Sequence, residues 1–175
     1  MPLDQTSRSG GIAALLVALG FLSGCSSTSR DVTSDARYAG GYQAGQTYRL
    51  TDNASLIVAA ADHWQTGARY YLTRPACADS IPNERPDDKP IASLPPGARL
   101  RITRLVAFHT SPTSFYWHDL IHPLATMLDG PYGGTEVDIT EISHHTFENG
   151  LTAITAEPSP DCLELVGNQG GGQSR

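Results

Sequence analysis

Apolar and polar residues alternate in short stretches through the middle of this 175-residue chain, and no long segment repeats its apolar positions at helical spacing. Thr47-Tyr48-Arg49-Leu50-Thr51 and Arg99-Leu100-Arg101-Ile102-Thr103 alternate strictly, which puts Tyr48 with Leu50, and Leu100 with Ile102, on one face of a strand. Leu56 to Ala61 and Leu105 to Phe108 are the short apolar runs that buried strands carry. Leu124 to Leu128 and Glu136 to Ile142 flank a turn-rich stretch, Asp129 to Gly134, and predict a hairpin. Ser143 to Phe147 and Leu151 to Ala156 flank Asn149-Gly150, whose residues tolerate the positive φ of a tight turn, and predict a second. Pro75 to Pro96 holds six prolines and many charges, and reads as a long loop. The pattern predicts a mainly β domain.

Two stretches echo each other. Gly45 to Thr51 and Gly97 to Thr103 share Gly-x-x-apolar-Arg-apolar-Thr at an offset of 52 residues, as a partial internal repeat or as two similar amphipathic strands. Leu94 to Thr103, with its Pro-Pro-Gly turn, and Leu128 to Ile139, with its Gly-rich turn, resemble strand-turn-strand pieces of SH3-like small barrels. That resemblance covers about a third of the chain after residue 24 and implies a small SH3-like β-barrel.

One apolar run differs in kind. Ile12 to Leu22 is preceded by a polar stretch with one basic side chain, Arg8, and ends in small residues. A bilayer core takes about 20 apolar residues in a helix, so this run is too short to span. Leu22-Ser23-Gly24-Cys25, which closes it, resembles the lipobox of bacterial lipoproteins. The resemblance implies that residues 1–24 are a signal peptide, that Cys25 becomes a lipid-modified N-terminus, and that the protein is anchored to a membrane. Ser26, where an Asp would signal retention, implies the outer membrane facing the periplasm, with the inner membrane or cell surface as alternatives. Two or more acyl chains hold a protein stably on a bilayer.

Residues 1–24 contain one acid and one base, so the remainder keeps the net charge of −6. That balance excludes nucleic acid as an expected partner, because such binding rests on basic contacts to phosphate. Of three cysteines, lipid consumes Cys25, and in an oxidising compartment Cys77 and Cys162 are expected to pair. Residues 25–41 read as the lipidated cysteine and a flexible tether, 42–166 as the β-rich globular domain with its loop at 75–96, and 167–175 as a disordered tail.

Candidate chemistry is sparse. His118 and His122 flank Asp119-Leu120-Ile121; on a helix they would share a face and could bind one metal, with Glu141 as a conceivable third ligand. Pro123 and the strand-forming Phe115-Tyr116-Trp117 favour a strand instead, where histidines four apart sit about 13 Å apart and cannot chelate. His144 and His145 are neighbours on a predicted strand, so their rings point to opposite faces. No Gly-x-Ser-x-Gly elbow, phosphate loop or dinucleotide fingerprint occurs. The aromatics exceed what a small barrel core needs, and Phe115, Tyr116 and Trp117 form the candidate interface. The expectation is a membrane-anchored envelope lipoprotein with a non-catalytic protein-binding or assembly role, with no cofactor and no metal. A toxin-neutralising, immunity-type inhibitor and a metal-dependent hydrolase built on His118 and His122 are the alternatives.

Overall fold

A single long strand organises the molecule. The computed structural model describes residues 28–38, 41–59, 66–74, 90–109, 119–148 and 152–166. Its strands are β1 (Thr28–Asp31), β2 (Thr47–Leu50), β3 (Ala54–Val58), β4 (Tyr70–Thr73), β5 (Pro90–Leu94), β6 (Arg99–His109), β7 (Asp119–Met127), β8 (Glu136–Asp138), β9 (Ser143–Glu148), β10 (Thr152–Pro158) and β11 (Leu163–Leu165). They form one sheet in the order β11-β2-β6-β7-β8-β4-β3-β5, with β1 added to β6 and β10 joining β7 to β9. The sheet curls into a half-barrel. Two 3₁₀ turns, Gly130–Tyr132 and Thr140–Ile142, complete it. No helix among the described residues is long and apolar enough to cross a membrane.

The two alternating stretches at 99–103 and 105–108 are one strand, β6. A register shift between Ile102 and Arg104 separates them. Leu100 and Ile102 face inward on one side of the shift, and Leu105, Val106 and Phe108 are buried on the other. An extra residue at such a bulge resets the two-residue period, so Leu105 joins Leu100 and Ile102 in the core cluster. Beside the bulge, Val32 N–H donates to the Leu105 carbonyl at 2.9 Å and Leu105 N–H to Thr33 Oγ1 at 2.9 Å.

The internal echo becomes a local two-fold. β2 and β6 are antiparallel, with Tyr48 opposite Leu100, the same position in both copies of the pattern. Their hydrogen bonds are reciprocal: Gly45 N–H to Ile102 O and Gly97 N–H to Leu50 O, each 2.8 Å, and Ile102 N–H to Gln46 O and Leu50 N–H to Ala98 O, each 2.9 Å. Both glycines have φ of +87°, a left-handed conformation that costs glycine nothing, which explains why each copy opens with one.

Two expectations are corrected. The segment 25–41, expected to be a tether, is structured from Thr28: β1 pairs with the end of β6, Thr28 opposite His109 and Asp31 opposite Val106, and Val32 is buried. Its polar side chains are all exposed, so sequence composition hides a strand held by backbone pairing to an edge of β6. The loop expected at 75–96 ends in strand β5, where Pro90 occupies the first position and costs no ladder bond that an interior position would need. The second hairpin is present with shifted bounds: β9 runs one residue past the expected Phe147, Glu148 pairs with Thr152, and Asn149-Gly150 lies outside the described residues.

Leu56, Leu72, Leu100, Ile102, Leu105, Ile121, Val137, Ile139 and Ile142 form the core. Tyr42 and Tyr48 are core residues packed edge to face at 5.5 Å. Tyr42 O–H donates to Ser143 Oγ at 2.7 Å, since the Ser143 hydroxyl is already spent on the Ile139 carbonyl at 2.7 Å. Tyr42→Phe removes that one bond and keeps the ring, so urea unfolding should show a loss of about 1 kcal/mol; a change indistinguishable from zero would show the bond contributes nothing.

Candidate functional site

Two Pro-Gly turns meet at one end of β6. The first, Pro95 to Ala98, leads into the strand, and its tightness rests on Gly97 and on a bond from Ala98 N–H to the Pro95 carbonyl at 3.3 Å. The second follows β7: the 3₁₀ turn Gly130–Tyr132 closes with Gly133 N–H on the Gly130 carbonyl at 3.1 Å. Pairing of Leu100 with Met127 brings them side by side. Between them lies an open groove of about 430 Å³, floored by Met127 and walled by Leu94, Pro96, Pro131 and Tyr132. That size lies within the roughly 300–1,000 Å³ of ordinary ligand pockets.

Arg99 and Asp129 tie the two turns together. Asp129 Oδ2 accepts from the Arg99 backbone N–H at 2.9 Å and from its Nε at 3.0 Å, while Oδ1 accepts from Nη2 at 2.7 Å. The hydrogen bonds and charge of Arg99 hold the Asp129 carboxyl below the ordinary aspartate range. Asp129 and Tyr132 are the titratable side chains lining the groove, the first already engaged by Arg99. Among the described residues that line it, no nucleophile stands beside a base.

On one side the groove is bordered by β5, whose Ala92, Ser93 and Leu94 line it. Among the described residues β5 pairs with β3 alone and stands at the end of the sheet order. Ile91 on β5 and Val58 on β3 are two of the large apolar side chains left exposed. An open strand edge beside apolar surface is a template for another extended chain.

The histidines went elsewhere. His122 lies on strand β7, fully buried, in keeping with the strand favoured from the sequence; His118 lies outside the described residues. Thr140 donates to Asp138 Oδ1 through both its backbone N–H at 2.9 Å and its hydroxyl at 2.5 Å. His122 Nδ1 stands 2.9 Å from Asp138 Oδ2 and 2.9 Å from Thr140 Oγ1. With the Thr140 proton committed to Asp138, Nδ1 carries the hydrogen and shares it between the two oxygens. Burial pushes the Asp138 carboxyl up, but attraction to His122 and the bonds from His122 and Thr140 outweigh it and hold it below the ordinary range.

His144 and His145 take opposite faces, exposed and buried respectively. His145 Nε2 donates to the Ile121 carbonyl at 2.9 Å. Burial, with the nearby His122 adding to it, lowers the His145 pKa to about 4, so the ring is neutral at pH 7. Glu141, the conceivable third ligand, is buried in the 3₁₀ turn at 140–142, and among the described residues no three His, Cys, Asp or Glu side chains are placed to hold a metal ion. His122, Asp138, Glu141 and His145 are buried in the core, and His144 is on the surface.

Cys162 is disulfide-bonded and buried; Cys77 and Cys25 lie outside the described residues. So do Phe115, Tyr116 and Trp117, although the residues that flank them, His109 and Asp119, are register partners at one end of the sheet. Sequence reasoning missed the groove. Its signal was available: two Pro-Gly turns, one before β6 and one after β7, fall at the same end of any antiparallel pairing of those strands. It also missed Asp138 and Thr140, although extending the Leu124–Asp138 register by two residues puts Thr140 opposite His122.

Comparison with protein-family models, with curated proteins and with solved structures finds no match for this chain.

Proposed function

We propose that this chain is an envelope lipoprotein that binds an extended segment of another envelope protein and catalyses nothing. The groove between the two turns carries this reading, because it lies beside β5, which among the described residues pairs on one side only. A segment laid along β5 would gain backbone hydrogen bonds from that edge, and its apolar side chains would fill the groove against Pro96, Pro131 and Tyr132. Tyrosine at such a surface brings large contact area at little entropic cost. An SH3-like barrel is the fold reading that accompanies it, supported by the half-barrel curl and by the Pro-Gly turn leading into β6.

The lipobox residues Leu22 to Cys25 supply the location. The disulfide at Cys162 suits the oxidising compartment that this location implies. Arg74 bonds the Asp161 carbonyl at 2.7 Å and reaches Cys162 Sγ at 3.7 Å, which brings a residue three positions before Cys77 against Cys162 and favours Cys77 as the partner.

A photo-crosslinking residue placed at Ile91 or Tyr132 in the full chain is expected to capture a discrete envelope protein in living cells. The same residue at Arg30 should not. Absence of an adduct from both groove positions would sink the binding reading, and a Cys25→Ser form that stays in the membrane fraction would sink the lipid anchor.

A further inference from the structure

Five strand ends form one row at the end of the sheet away from the groove. The register runs Thr28 opposite His109, His109 opposite Asp119, Asp119 opposite Thr152, and Thr152 opposite Glu148. At about 4.8 Å between neighbouring strands the row is roughly 20 Å wide. The groove lies at the other end of β6, whose eleven residues, Arg99–His109, cover roughly 30 Å along their path.

The chain leaves this row toward Cys25 through Ser26 and Ser27 alone. Three residue steps reach at most about 10 Å. A tether of that length cannot turn the domain over. We propose that the row from Thr28 to Glu148 lies against the bilayer surface and that the groove is held at the membrane-distal end, about 30 Å further out, facing a partner in the aqueous compartment. This rests on the lipoprotein reading above and adds to it which surface meets lipid and which meets protein.

Charge agrees with an anchor that acts by length. The chain is acidic by six, so it has no general attraction to an anionic surface, and contact at the row follows from the short covalent link. The row is polar where side chains are described: Thr28, Ser29 and His109 are exposed, which suits a headgroup layer and not insertion into hydrocarbon.

The test uses the full lipidated protein, purified from membranes and reconstituted in phosphatidylethanolamine–phosphatidylglycerol vesicles that contain a lipid with a headgroup-attached energy acceptor. Donor dye is attached at Ser29→Cys, beside the row, or at Ser93→Cys, in the groove wall; both serines are exposed and the exchange is nearly isosteric. Transfer should be severalfold stronger from position 29 than from position 93. Equal transfer from both, or stronger transfer from 93, in protein whose Cys25 lipid is verified by mass spectrometry would overturn the orientation. Protein that carries no lipid on Cys25, or transfer that persists unchanged in a Cys25→Ser form, would overturn the lipoprotein reading on which it rests.

Discussion

Asp138→Ala is expected to remove about 3–5 kcal/mol of folding stability, the cost of leaving a buried group without its charged partner. Total stability of a domain is about 5–15 kcal/mol, so the variant should be largely unfolded at 37 °C or close to it. Asp138 is 2 % exposed and His122 0 %, and the carboxylate collects three hydrogen bonds from two residues. Removing it strands the Thr140 N–H and hydroxyl in the core and leaves His122 Nδ1–H with Thr140 Oγ1 alone. Urea unfolding of Asp138→Ala, Thr140→Val and the pair, all in a Cys25→Ser background, would show strong coupling between the two sites, since they share partners. A loss below about 1 kcal/mol for Asp138→Ala would mean that the network has an alternative arrangement and does not specify the core.

Acid should weaken the protein well before carboxylates protonate. His145 has a folded pKa of about 4 against an ordinary 6.5. Between those values the unfolded chain binds a proton that the folded ring refuses, so stability rises with pH across this window. The contribution is complete above about pH 6.5 and lost as pH falls to about 4, an order-of-magnitude loss of about 3 kcal/mol. Asp138 adds a second loss lower down. Its folded pKa is depressed, so its contribution is present above the ordinary aspartate range and disappears as pH falls through the folded value. His145→Gln keeps a donor toward the Ile121 carbonyl without titrating, and should flatten the slope between pH 4 and 6.5 while leaving the loss below it. Urea midpoints measured across that range would separate the two, and a wild-type curve flat from pH 6.5 to 4.5 would contradict the burial argument.

Much of the β-structure was legible because burial on one face writes itself into every second residue. Tyr48 and Leu50, and Leu100 and Ile102, follow that rule. β1 was illegible for the converse reason: Thr28-Ser29-Arg30-Asp31 buries no side chain and is held by backbone bonds alone, which composition does not record. β5 was masked by its prolines, which mark loops in most contexts and edge strands in a few. The echo at 45–51 and 97–103 was visible as a pattern, yet its meaning, a reciprocal pairing about Tyr48 and Leu100, needed the register.

The same division holds for the sites. Residue order alone determined the alternation that makes strands, the repeated pattern that opens at Gly45 and Gly97, the opposite faces of His144 and His145, and the lipobox pattern ending at Cys25. Tertiary structure alone decided that His122 meets Asp138 and Thr140, that two distant Pro-Gly turns border one groove, and that Thr28 starts at the end of the sheet opposite that groove. The reason is common to all three. Each depends on which strands pair and in what register, and a one-residue slip would move every one of these side chains to the other face.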